Sequence, residues 1–216
     1  MKFSALVTKV SELLTDTTNV TWELAQVQQW LAEAERQVIL LRPDANAVSE
    51  EVDPADGVSK QTIPSDSFRL LDIPHNVVGG VPGRAISIIQ RSFLDELDPN
   101  WHQADESDVI EHFVFNDLVP EVFYLYPRPS AAARIEIQTS KIPAAPDFGA
   151  DPDISISDAF EGAMIQYAVW RCLSRADDQN PDAQSAEVAY QKFIQLLGLE
   201  SQSKVQASPK RRGQKQ

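Results

Sequence analysis

The apolar residues of this chain change period twice along its length, and that change limits the possible folds more than any overall composition does. Near both ends they recur every three or four residues, the spacing of one face of a helix. In the middle they alternate, or cluster in short β-branched runs, as strands require. Phe3, Leu6, Val7, Val10, Leu13 and Leu14 predict a first helix over residues 2–14. Thr15-Asp16-Thr17-Thr18-Asn19-Val20-Thr21 is rich in side chains that compete for backbone hydrogen bonds. This stretch reads as a loop ending in an N-cap at Thr21, with a second helix starting at Trp22. Leu24, Val27, Leu31, Ala34, Val38 and Leu41 then form a seam at alternating steps of three and four. Arg42-Pro43 closes that helix, because proline disfavours helical geometry in the residue before it.

Residues 43–61 hold Asp44, Glu50, Glu51, Asp53, Pro54, Asp56 and Gly57 with few large apolar groups, and predict a solvated connection. Five strand-like runs follow: Ser67 to Ile73, Arg84 to Ser92, Glu111 to Asn116, Glu121 to Tyr126 and Ala133 to Ser140. In Arg134-Ile135-Glu136-Ile137-Gln138 the alternation is strict, as one buried and one wet sheet face demands. Turns fall at Gly79-Gly80-Val81-Pro82-Gly83, Asp98-Pro99-Asn100 and Pro127-Arg128-Pro129. Helical spacing returns after Ser157, through Ala159, Phe160, Ala163, Met164, Tyr167 and Ala168 to Leu173. Asn180-Pro181 then predicts another helix start, and Gly198 its end. The fold class is α+β: a four-helix bundle formed by both ends of the chain (1–43 and 156–199), an inserted small antiparallel β domain (61–145), and an extended basic C-terminal tail (200–216).

Chemistry is harder to find. The single cysteine, Cys172, excludes an internal disulfide and any Cys₂His₂ or Cys₄ zinc centre. His75, His102 and His112 lack partners at metal-ligand spacing, and Glu111 and His112, as strand neighbours, point to opposite faces. Asp151-Pro152-Asp153 lacks the spaced ligands and central glycine of an EF-hand loop. Gly79-Gly80-Val81-Pro82-Gly83-Arg84 joins strands rather than opening a helix, so it is no phosphate cradle. No cofactor is expected and no enzyme activity is read. The start of the chain is too charged, at Lys9 and Glu12, for a secretion signal, and no stretch approaches the roughly 20 apolar residues of a membrane span. Synthesis in the cytoplasm, without membrane attachment, is the expectation.

Charge is distributed unevenly. The net value is −13, but residues 201–216 carry five basic side chains (Lys204, Lys210, Arg211, Arg212 and Lys215) and no acid. The first 200 residues therefore hold 14 basic against 32 acidic groups, a body of −18. Such a body repels nucleic acid, whose binding relies on cations that displace counterions from phosphates. The tail is either a solvated end or an electrostatic contact for an acidic partner. Trp22 and Trp30, with Arg42, are candidates for a core or subunit-interface role.

Trp30-Leu31-Ala32-Glu33-Ala34-Glu35-Arg36-Gln37-Val38-Ile39-Leu40-Leu41-Arg42-Pro43-Asp44-Ala45 resembles a stretch of the head-to-tail adaptor (connector) family of tailed bacteriophages. Its Leu41-Arg42-Pro43-Asp44-Ala45 ending is the most telling part. Val122-Phe123-Tyr124-Leu125-Tyr126-Pro127-Arg128-Pro129 with Ile135-Glu136-Ile137 is similar to that family's strand pair, and Tyr167 to Asp178 to one of its helices. The resemblance implies a structural virion protein at the head–tail junction. It further implies a homo-oligomeric ring, commonly a dodecamer, between the portal protein and the tail or nozzle proteins, with DNA passing through unbound. On that reading Lys204, Lys210, Arg211, Arg212 and Lys215 grip the portal. The rival is a regulatory or nucleic-acid-associated protein that contacts its target through the same tail. A third is a hydrolase with a carboxylate pair in a cleft of the β domain.

Overall fold

The computed structural model describes residues 1–175 and 183–207, with side chains as far as Gly198. The first two helices are α1 (Phe3–Leu13) and α2 (Leu24–Leu41). Strands β1 (Ala47–Val52), β2 (Lys60–Thr62), β3 (Ser67–Val78), β4 (Val81–Ala85) and β5 (Ser87–Ile88) follow, then a two-turn helix α3 (Arg91–Leu97). Next come β6 (Glu106–Ser107), β7 (His112–Phe115), β8 (Val122–Tyr126), β9 (Arg128–Pro129) and β10 (Ile135–Lys141). Helices α4 (Glu161–Ser174) and α5 (Ala183–Ala207) end the order. The class is thus α+β, with mainly antiparallel sheets. Two compact units divide it: Met1–Arg42 with the described residues from Pro143 onward, and Pro43–Ile142.

In the helical unit α4 lies at the centre. Ala163, Met164, Ile165, Tyr167, Ala168 and Cys172 are buried on most of its sides, because α1, α2 and α5 all pack against it. Against α4, by contrast, α5 lays only the stripe Ala186, Ala189, Phe193 and Leu197. Rings fill the seam: Tyr167 meets Phe193 edge-on at 5.2 Å, and Trp170 lies 4.9 Å from Tyr190. The start of α1 is strapped to the segment leading into α4. Phe3 N–H donates to the Pro152 carbonyl, Lys2 pairs with Asp153 at 3.1 Å, and Lys9 pairs with Glu161. Glu35, a carboxylate only 3% exposed on α2, accepts the Ser155 N–H and so pins the same segment. Burial raises its pKa, and the backbone donors at Ser155 and Ile156 pull the other way.

The β unit holds two four-stranded sheets, in the orders β1-β10-β3-β4 and β2-β8-β7-β5. Leu70, Ile73, Ile135 and Ile137 of the first form one core with Phe113, Phe123 and Leu125 of the second. Val114, also on β7, joins a second cluster with Leu94 of α3 and Trp101. Trp101 is fully buried, and its indole N–H donates to Asp95 at 2.8 Å. Asn76 ties β3 to β4 and to the segment just before β7. Its amide donates to the Arg84 and Ile110 carbonyls at 2.9 and 2.8 Å, and its oxygen accepts the Ile110 N–H at 2.7 Å. Gly79 and Gly80, both left-handed at φ 61° and 76°, make the two-residue turn between β3 and β4 that few other residues allow.

Several sequence expectations are corrected. Residues 43–61 are not a plain connection: they form a 3₁₀ turn at Pro43–Asn46, all of β1, and the start of β2. β1 is an edge strand paired only with β10, so Ala47, Ser49 and Glu51 face solvent and its composition reads as loop. The second helix starts at Leu24, not Trp22, because the Asp16 carboxylate takes the N–H groups of Val20, Thr21 and Trp22 at 2.8–3.0 Å. The run Arg84 to Ser92 breaks into the end of β4, β5 and the start of α3. Two short pairs, β5 with β7 and β6 with β9, are parallel. The backbone of α5 continues through Gly198 to Ala207, since that glycine keeps a negative φ and makes no left-handed stop. The Asn180-Pro181 start and residues 208–216 lie outside the described residues.

Candidate interaction surfaces

Trp22 and Trp30 are both half-buried and meet edge-on at 6.3 Å, with Trp22 in the loop that precedes α2. Trp30 also borders a groove of about 390 Å³ lined by Gln26, Gln29, Arg171, Ser174 and Arg175. Its wall is rich in N–H donors, which suits carboxylates or carbonyls. Arg171 is held there by Glu33 at 3.3 Å, and Glu33 also accepts the Tyr167 hydroxyl at 2.9 Å. Burial and that neighbouring carboxylate push the Tyr167 pKa well above the usual phenol range. Arg42 sits at the C-terminal end of α2, donates to the Leu197 carbonyl of α5 at 2.9 Å, and lies 5.8 Å from the Phe160 ring. The loop that carries Trp22 is constrained: Thr15 and Asn19 are left-handed at φ 57° and 52°, and Asn19 is bonded to Ser11. Lys204 falls on the α5 backbone with its side chain outside the described set, as are Lys210, Arg211, Arg212 and Lys215 altogether.

Residues 43–142 carry seven basic and seventeen acidic groups, a formal −10. Six of the seven cations are spent on ion pairs within the unit: Arg69, Arg84, Arg91, Arg128, Arg134 and Lys141. Lys60 has no ion pair among the described residues. It borders a cleft of about 420 Å³ on the outer face of the second sheet, with Arg91, Val114, Phe115, Val122 and Tyr124. No acid lines that cleft. A second cleft, about 350 Å³, has Asp53 as its one acid, and Asp53 is paired with Arg134 at 2.7 Å. The β unit's described clefts therefore do not assemble the carboxylate pair that a hydrolase would use.

Each histidine has a separate partner. His75 faces Glu136 across the sheet at 3.2 Å, and His112 bonds Ser87 at 2.8 Å. His102 stacks on Trp101 at 3.6 Å, and burial, helped by Arg91, lowers its pKa. Among the described residues no group of three or more His, Cys, Asp or Glu side chains is placed to hold a metal ion. No helix among them is long and apolar enough to cross a membrane. The Cys172 thiol is buried, and desolvation pushes its pKa up to about 12.

Sequence reasoning did not find the unpaired Lys60 or the donor groove beside Trp30, since both depend on which charges meet in space. No curated protein matches the chain. The family model described as SU10 adaptor protein matches residues 1–213, and the chain belongs to that family of phage head-to-tail adaptors.

Proposed function

We propose that this member of the SU10 adaptor protein family acts as one subunit of a ring, commonly of twelve copies, seated between the portal and the tail or nozzle proteins, with a DNA channel through it. The family match over nearly the whole chain carries the reading. In it, the helical segments (1–43 and 156–199) make a four-helix bundle that builds the ring. Residues 61–145 make a separate β domain, and the chain is a structural part of the virion rather than an enzyme. The charge pattern supports this. A body of 14 basic against 32 acidic groups gives a channel wall that DNA phosphates slide past rather than stick to. The basic end, Lys204, Lys210, Arg211, Arg212 and Lys215, is the portal grip, and Trp22 and Trp30 with Arg42 border the subunit interface. Arg42 serves it indirectly, by fixing the end of α2 through its bond to Leu197.

Electron microscopy of the chain mixed with its portal tests the core of this reading. A collar of added density on the tail-facing side is expected, and a bare portal refutes it. Truncation after Leu199 tests the grip, with binding expected to fall most steeply at low salt. Unchanged binding assigns the tail no such role. Duplex DNA binding with a steep salt slope, lost on the same truncation, supports the nucleic-acid reading instead.

A further inference from the structure

The helical unit is open on one side. α4 is covered by α1, α2 and α5, and the main contacts of α5 among the described residues are with α4 and the turn before it, with a hydrogen bond from Arg42 to Leu197 joining it to α2. Beyond its buried stripe α5 exposes Glu187, Val188, Gln191 and Ile194, with Val188 48% and Ile194 41% accessible. On another side of α4, the free face of α2 exposes Ala25, Gln29, Arg36 and Leu40 at helical spacing, Leu40 being 49% accessible. Each row mixes apolar and amide groups around a charge, Arg36 on α2 and Glu187 on α5, with Lys192 exposed beside Val188 at the edge of the α5 row. Arg36 makes no ion pair among the described residues, and Glu187 is bonded there only to Gln191, at 2.7 Å.

We infer that α5 of one copy packs on the outer face of α2 of the next, with Glu187 meeting Arg36 and Val188 and Ile194 meeting Leu40 and the flat surface at Ala25. The occupant is a second copy of this chain because the two rows are complementary in sign and occupy different sides of the same unit. Such a head-to-tail contact repeats around an axis and closes into a ring where the rotation between copies divides a full turn, whereas a self-complementary patch stops at a dimer. A neighbour's helix also covers the face that α5 leaves exposed among the described residues. The inference rests on the ring reading and adds the surface that builds it.

Charge reversal tests it on the portal-bound chain. R36E and E187R, each alone, are expected to lower the number of copies retained per portal at least fivefold, and the double reversal to restore most of it. A second measurement does not depend on how well those variants fold. Gln29→Cys in one chain and Gln191→Cys in a second, larger tagged chain are mixed on the portal and treated with a short bismaleimide. A band at the summed mass of the two chains is expected, while Cys172 stays buried. Full retention by both single reversals, or no mixed band from rings that do form, overturns the α2–α5 contact and leaves the ring reading intact. Absence of any multimer of the unaltered chain on the portal overturns the ring reading itself.

Discussion

Asn76→Ala is expected to be among the most damaging single changes in the β unit, and its cost can be worked from three hydrogen bonds. Asn76 is 1% exposed, and it donates to the Arg84 and Ile110 carbonyls while accepting the Ile110 N–H. Truncation frees all three partners. Arg84 lies on the exposed strand β4, where water can reach its carbonyl, so that bond costs little. Ile110 is fully buried, and both of its backbone groups are left unpaired. At about 1–3 kcal/mol for each buried orphan, the loss is about 2–6 kcal/mol, a large share of a typical domain's stability of about 5–15 kcal/mol. With a urea slope of about 2 kcal/mol/M, the middle of the usual range, the midpoint of the β unit's transition falls by about 1–3 M. Asn76→Asp separates shape from polarity. It keeps the acceptor for Ile110 N–H but aims an ionised oxygen at two carbonyls, so it should be worse at pH 7 than at pH 4. Urea unfolding, combined with hydrogen exchange at the Ile110 amide, gives the readout. A loss below about 1 kcal/mol with the slope unchanged, or an Ile110 amide as protected as in the parent, would refute the idea that this side chain holds β3 to residues 84–110.

Other predictions concern single groups. The Asp16 pKa is depressed, chiefly by the Trp22 N–H and then by those of Val20 and Thr21. Its contribution is therefore complete above the unfolded value of 3.8 and disappears as pH falls through the lower folded value. Melting temperatures taken from pH 5 to about pH 2 should fall more steeply in the parent than in the Asp16→Asn variant, and parallel curves would contradict this. Tyr167→Phe removes the hydroxyl bonded to Glu33, which is itself partly wet, and should cost about 1 kcal/mol while leaving the Glu33–Arg171 pair in place. No change in melting temperature would assign that bond no weight. Cys172, with its pKa raised to about 12, should resist a thiol reagent at pH 8 and react at once in urea. Rapid labelling of the folded chain would show that α4 is not enclosed as described.

The elements legible in the sequence are those with a strong period and one buried face. α2 and β10 follow from Leu31, Val38, Ile135 and Ile137 with only their ends misplaced. β1 was not legible because an edge strand wet on one face and paired on one side reads like a loop, and its Glu50 finds Lys141 91 residues away. α3 was hidden for a similar reason, as only Leu94 of its seven residues is buried. The donor groove at Trp30 and the unpaired Lys60 are products of tertiary pairing, which no local pattern encodes. Trp22 meets Trp30 because it precedes the helix and is carried by the loop that Asp16 holds, a placement that helical spacing alone does not give.

The open side of the helical unit bears on when a ring can form. A contact made through one row on α5 and one on α2 is limited by the shorter row, on α5, to about two helical turns, roughly 10–12 Å of helix. That strip buries a few hundred Å² per partner, well short of the roughly 800 Å² typical of a stable specific interface. The cross-copy ion pair adds little, since exposed pairs contribute about 0–1 kcal/mol. Charge works against free assembly as well: each body carries −18, and crowding several of them around an axis accumulates repulsion unless a partner offsets it. The five cations at the end of the chain bring each copy to −13, and their attraction to an acidic surface of a partner would add a favourable contribution that free copies lack. Portal docking and lateral contact then become mutually dependent, since the template holds neighbours at high effective concentration while each lateral contact slows release of the next copy. On these magnitudes, and on the ring reading, the isolated chain is expected to sediment as a monomer at micromolar concentration and to assemble only on the portal. Stable rings of the purified chain alone would require a larger lateral surface than α2 and α5 provide.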